Sequence, residues 1–123
     1  MLTPVRFTIK GEPASKANSR RLVTFGNRPA FIKSKKAISY VEAFKMQCPK
    51  LQSPIEDDVA VWIRIHYASR RPDLDDSIIL DAMQGLIYVN DRQVKERHIY
   101  WSLDRINPRA DIVVAQIGEG CTV

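Results

Sequence analysis

Five of the 14 acidic residues of this 123-residue chain fall between positions 73 and 91. They are Asp73, Asp75 and Asp76 in the run Arg70-Arg71-Pro72-Asp73-Leu74-Asp75-Asp76, then Asp81, then Asp91 after Asn90. In an extended segment, residues i and i+2 point the same way. Asp73 and Asp75 can therefore present carboxylates on one side while Leu74 anchors into a core. Pro72 keeps the approach extended by biasing Arg71 away from the helical region. Two carboxylates aimed at one point repel each other unless a positive charge sits between them. A divalent cation is the natural occupant, because hard cations take carboxylate oxygens. Such a cation makes water a better nucleophile and neutralises phosphate charge. The spacing thus suits phosphodiester cleavage.

Plainer roles compete for the same residues. Asp75 or Asp76 can cap a helix that starts near Ser77, with Asp76 at the better place. Asp81 falls inside that helix, where a structural or solvated role is the default. Asp91 follows Asn90, and such pairs are common in turns.

The charge distribution favours a polyanionic partner. Residues 1–55 carry a net charge of +9 and residues 56–123 carry −4, within an overall +5. The basic part holds Lys16, Arg20, Arg21, Arg28, Lys33, Lys35 and Lys36. Clustering of this kind is what salt-sensitive phosphate binding needs, and phosphate contacts position a protein without reading sequence. Arg71 adjoins the aspartates and can pair with them or contact a phosphate. Phe25 and Phe31 flank the basic loop as core residues or as platforms for exposed bases.

Several elements must position these groups. Val5 to Lys10 alternates with period two and reads as a strand. Ala14 to Pro29 reads as a basic loop or ragged hairpin, with short strands at Leu22–Phe25 and Ala30–Ile32 around the turn-like Gly26-Asn27. Ser34 is placed to cap a helix that runs to about Gln47 and stops before Pro49. Its apolar stripe is Ala37, Val41, Phe44 and Cys48, widened by Ile38 and Tyr40. Val59 to Tyr67 is the strongest strand, rich in β-branched residues. Ser77 to Leu86 reads as a second helix with Gly85 near its end. Gln93 to Leu103 is extended, with Val94, Ile99 and Trp101 as core candidates. Asn107-Pro108 turns into a last strand at Asp111–Ile117, followed by a loose tail.

The expected fold is α+β, with a mixed sheet and two main helices in a single domain of residues 1–123. No transmembrane run or secretory leader is visible, which suggests a cytoplasmic protein. Cys48 and Cys121 are too isolated to form a zinc site or a disulfide framework. His66 and His98 lie in strands away from the carboxylates and read as structural. Trp62 and Trp101 are core or dimer-interface candidates.

Taken in order, Asp73-Leu74-Asp75-Asp76, Asp81-Ala82-Met83, Gly85 and Asn90-Asp91-Arg92-Gln93-Val94 resemble the signature of the RusA endonucleases. Those enzymes show Asp-x-Asp-Asn, Asp-Ala-Leu and Asp-Asp-x-Gln-Val. The opening segment, with Gly11, Pro13 and then Ser15-Lys16-Ala17-Asn18-Ser19-Arg20, is similar to the family's polar N-terminal loop. The likeness is close over Arg71 to Val94 and looser over Phe7 to Ile117.

The resemblance implies a homodimeric Holliday-junction resolvase of bacterial, prophage or phage origin, at work in DNA recombination and repair. It implies paired nicking of branched DNA with Mg2+, or Mn2+ in its place, and with neither a small-molecule cofactor nor a membrane. It implies that Asp73, Asp75 and Asp91 are the metal-binding catalytic carboxylates. Lys16, Arg20, Arg21 and Arg71 are the DNA-binding candidates.

Three positions depart from the family pattern. Asp76 stands where Asn is usual, and Asn90 stands where the first Asp of a pair often occurs. Ser77-Ile78-Ile79-Leu80 lacks the family's lysine, which leaves three possibilities: another cation such as Lys16, Arg71 or Lys95 substitutes, activity is reduced, or the protein binds without cutting. The alternative is a protein of the same fold that holds branched DNA with impaired cleavage. A remoter one is a small acidic-site protein that acts on RNA or nucleotides. A helix from Ser77 to Leu86 would be about 15 Å long. Asp91 would then reach Asp75 only if the chain folds back or a dimer partner supplies it.

Overall fold

The computed structural model describes residues 4–14, 20–26 and 28–117, with the side chains of residues 20–25 and 28–33 left aside. The expected α+β arrangement is present. A four-stranded mixed sheet has the order β1-β6-β4-β5, built from β1 (Val5–Lys10), β4 (Val59–Tyr67), β5 (Val94–Leu103) and β6 (Arg109–Gln116). β6 runs antiparallel to both β1 and β4, while β4 and β5 are parallel. A parallel pair needs a crossover, and α2 (Ser77–Met83) lies in it. A separate hairpin joins β2 (Arg20–Phe25) and β3 (Arg28–Lys33), each longer than the sequence pattern indicates.

One face of the sheet is apolar by strict alternation. Ile9, Val61, Ile63, Ile65, Ile112 and Val114 are buried there. Ala37, Tyr40 and Phe44 of α1 (Lys35–Gln47) and Ile78, Ile79 and Met83 of α2 join them in one core. Phe7 meets Phe44 edge-on at 6.3 Å. Ser34 caps α1 as expected, its Oγ accepting the Ala37 N–H at 3.2 Å. The stripe of α1 is narrower than expected, because Ile38 is exposed and Val41 only half-buried.

The second helix is shorter than the expected Ser77–Leu86. It ends at Met83, where Gln84 turns extended, and Gly85 takes φ +80°. That left-handed conformation suits glycine and reverses the chain. The Gly85 N–H then donates to the Tyr88 carbonyl at 2.7 Å, and Ile87 and Tyr88 become fully buried. Residues 86–89 are stitched to the segment before β4 by bonds from Leu51 to Leu86, Ile55 to Ile87 and Val89 to Ile55.

The opposite face of the sheet is open. Register places Arg6, Val113, Trp62 and His98 in one row and Thr8, Asp111, Arg64 and Tyr100 in the next. Trp62 stacks on His98 at 5.0 Å, and Arg64 lies 4.9 Å above the Tyr100 ring. Among the described residues, no helix is long and apolar enough to cross a membrane.

Candidate active site

The chain leaves β4 at Tyr67 and bends immediately into the aspartates. Tyr67 is 2% exposed, so its ring is fixed by the core. Its hydroxyl donates to the Asp73 carbonyl at 3.1 Å and accepts the Asp75 N–H at 3.2 Å. The Trp101 indole, stacked on Tyr67 at 5.8 Å, donates to the Pro72 carbonyl at 3.0 Å. Two aromatic side chains thus hold the Pro72–Asp75 backbone. Burial raises the Tyr67 pKa; the bond from the Asp75 N–H opposes this, and the charges of Asp75, Glu12 and Asp76 add to it. The phenol therefore stays a donor at neutral pH.

Within this bend Asp73 is exposed, Asp75 half-buried and Asp76 buried. Of the two cap candidates, the side chain that caps is that of Asp75 and not of the better-placed Asp76. Asp76 occupies the N-cap position, but its side chain makes no capping bond. Asp75 Oδ1 instead accepts the Ser77 N–H at 3.0 Å and the Ser77 Oγ–H at 2.7 Å. Asp76 Oδ2 has no hydrogen-bond partner, and the Arg97 Nε on β5 lies 3.8 Å from it. Sequence reasoning overlooked Glu12, whose Oε1 accepts the Ala68 N–H at 3.1 Å. Only the fold brings the end of β1 to the end of β4.

Asp91 begins a single 3-10 turn, Asp91–Gln93, that feeds β5. Asn90 caps this turn, its side chain accepting the Arg92 N–H at 2.9 Å while Gln93 Oε1 accepts the Asn90 N–H at 2.8 Å. Asn and Asp serve as caps about equally well, so the departure at Asn90 leaves the turn intact. Gln93 Nε2 donates to the Ile55 and Asp57 carbonyls at 2.6 and 2.8 Å, which anchors the turn to the segment before β4. The chain does fold back after α2: the Asp91 N–H donates to Gln84 Oε1 at 3.1 Å. The buried Tyr88 hydroxyl donates to the Leu80 carbonyl at 2.6 Å. Burial first, then the charges of Asp91, Asp81 and Asp76, push its pKa up.

Asp73, Asp76 and Asp91 thus each border β5 through a different neighbour, and the charges of Asp91, Asp81 and Asp76 all reach the Tyr88 hydroxyl. Asp73 is tied to the Trp101 end, Asp76 faces Arg97, and Asp91 precedes Val94. The fold brings Asp73 and Asp75 together around Tyr67. Among the described residues, no three His, Cys, Asp or Glu side chains gather as a metal-holding group. A Mg2+ ion is typically held by one or two carboxylates, completed by waters and substrate phosphate. The oxygen-only donors of the bend, including one buried carboxylate oxygen that accepts no hydrogen bond, fit such an ion.

The model of the RusA endodeoxyribonuclease family matches residues 10–115. The chain belongs to the RusA family. No curated protein matches it. RusA membership implies Holliday-junction nuclease activity at the level of the family, and RusA-type resolvases generally depend on a divalent metal.

Seen as a RusA domain, the chain shows why α2 has no room for a cation at the lysine-free stretch: Ile78, Ile79 and Leu80 are all buried. Arg71 is exposed beside the aspartates. Arg20 pairs with Lys33 and Arg21 with Ile32 across the β2–β3 hairpin. Lys16 and Cys121 lie outside the described residues. His66 Nε2 lies 3.0 Å from Asp111 Oδ2, on the open sheet face with the Trp62–His98 stack. Both histidines thus sit apart from the aspartate bend. Cys48 is buried, and burial pushes its thiol up to about 11, far from a reactive thiolate.

Proposed function

We propose that the single domain of residues 1–123 is a homodimeric, Mg2+-dependent endonuclease that resolves Holliday junctions or other branched DNA by paired nicking. The observation that carries this is the aspartate bend, clamped by Tyr67 and Trp101, in a chain of the RusA family. Preorganisation of this kind is what hydrolysis at a phosphodiester requires, since misplacement of a catalytic group is costly.

Asp73, Asp75 and Asp91 would hold the ion, with Mn2+ able to replace Mg2+. The ion, when bound, lowers the pKa of a water and neutralises phosphate charge. Tyr67 keeps Asp73 and Asp75 in register by bonds to their backbone. Lys16, Arg20, Arg21 and Arg71 contact the phosphates of the DNA arms. Charge of this kind reads shape rather than sequence. The setting would be the cytoplasm of a bacterium or a phage-infected cell.

The second copy would dock on the open sheet face. That face has a groove of about 500 Å³ lined by Arg6, Trp62, Arg64, Tyr100 and Asp111 among others. The exposed rings of Trp62 and Tyr100 beside Arg64 are of the residue types that self-association favours, and a two-fold axis would set each patch against its own copy.

A synthetic four-way junction and a linear duplex, each with Mg2+ or with chelator, test the proposal. Mg2+-dependent nicking of the junction supports it. Tight junction binding with no cleavage under any divalent metal would instead favour the binding protein, for which the apolar Ile78-Ile79-Leu80 stretch speaks.

A further inference from the structure

Asp76 is the buried carboxylate among the described residues, at 7% exposure. Its side chain is 10% exposed, and Oδ2 has no hydrogen-bond partner. An unpaired buried charge is costly, and cores normally neutralise or replace it. The local fold does not need the charge. Asp75 Oδ1 already serves Ser77, and an amide of the same shape would fit the position. Among the described residues the cation beside it is Arg97, whose Nε stands at 3.8 Å, within ion-pair range but beyond a hydrogen bond. The Arg97 side chain is itself 56% exposed and so only loosely committed. Asp76 also follows Asp75 directly, and the charges of both reach the Tyr67 hydroxyl.

We propose that Asp76 is an additional carboxylate ligand of the divalent cation, and that Arg97 is its provisional counter-ion in the metal-free protein. Once a cation takes the Asp76 oxygen, Arg97 is released toward solvent, where its fork can grip a phosphate of the bound strand. A cation at this place substitutes for the one that the apolar stretch of α2 cannot supply. The assignment rests on the nuclease site proposed above.

The test is calorimetric titration of the full chain with MnCl2, without DNA, for the wild type, Asp75→Asn, Asp76→Asn and Arg97→Gln. Melting curves in chelator accompany it. Asp76→Asn is expected to weaken Mn2+ binding by at least roughly tenfold, the loss that even outer partners of a metal site produce. It should also raise the melting temperature in chelator, because it removes a buried charge whose counter-ion stands beyond hydrogen-bond distance. A merely structural Asp76 would give the opposite sign in the melt. Arg97→Gln should tighten Mn2+ binding and weaken junction binding. Unchanged Mn2+ affinity in Asp76→Asn, or a lower melting temperature, overturns the assignment. If Asp75→Asn still weakens the metal in that case, the nuclease site stands and only the role of Asp76 falls. A wild type that binds no Mn2+ removes both.

Discussion

The hydroxyl of Tyr67 accepts the N–H of Asp75 at 3.2 Å, and the same oxygen donates to the carbonyl two residues earlier. One buried side chain thus sets the spacing of the two aspartates through their backbone. Tyr67→Phe keeps the ring and loses both bonds. It should cost about 1–3 kcal/mol of stability, the usual penalty for stranding buried polar partners. Junction nicking should fall by roughly a hundredfold, as for a small misplacement of catalytic groups. Denaturant unfolding and single-turnover cleavage read the two effects. Full cleavage by this variant would show that the bend is set elsewhere.

Asp75 has two separable duties, and two substitutions separate them. Asp75→Asn retains an oxygen for the Ser77 N–H, so stability should stay close to wild type while Mg2+-dependent nicking is lost and junction binding persists. Asp75→Ala should lose nicking as well, plus about 1 kcal/mol of stability as a missing helix cap. Equal melting temperatures for the two variants would contradict the capping role.

The basic segment should announce itself in salt dependence. Each neutralised phosphate contributes a slope of about −0.9 in log affinity against log salt. Replacing Arg20 and Arg21 together by Ala should therefore make the slope shallower by about 2 if each contacts one phosphate. Filter binding of a junction at several salt concentrations measures this. An unaltered slope would exclude both side chains from the interface.

Trp62 stands at the centre of the open sheet face, 36% exposed. Trp62→Glu should convert the proposed dimer to a monomer in sedimentation velocity and leave the helix-side core intact. A dimer that survives this change would place the interface elsewhere.

Asp104 gives a pH signature. Its carboxylate accepts from the Asn107 and Ile106 N–H groups at 3.0 and 3.1 Å and from the Arg109 guanidinium at 2.8 Å. The Asn107 bond first, then Arg109 and then Ile106, hold its pKa below the ordinary 3.8. A depressed folded-state value means stability that is present above the unfolded value. That contribution is lost as pH falls through the folded one. Asp104→Asn should thus shrink the difference in melting temperature between neutral pH and acid. A variant with the wild-type acid slope would show that the turn before β6 owes nothing to this charge.

Much of this fold was legible because its signals are local. Period-two alternation marked Val59–Tyr67, and Ser34 with Pro49 bounded α1. The end of α2 was not legible. Ala82, Met83 and Leu86 continue a helical stripe, while the reversal depends on a left-handed Gly85 and on bonds to residues 51–55 that are remote in sequence. The aspartate bend was visible as a spacing, but its clamp was not. Trp101 reads as a core or dimer-interface residue and Tyr67 as the end of a strand, and only the parallel pairing of β4 with β5 sets them against each other. Nothing in the sequence marks Arg97. Its relation to Asp76 exists because the α2 crossover lays the start of the helix beside β5.

That placement of β5 has a colloidal consequence. β5 closes the described sheet on one side, and an outer strand invites pairing with another chain unless it is protected. Lys95, Glu96 and Arg97 are consecutive and exposed on this strand. Charges on an outer strand are how natural sheets discourage such stacking. Arg97 thus guards the margin of the sheet as well as standing beside Asp76, and substitutions that erase these charges would invite fibrous association before they disturb the fold.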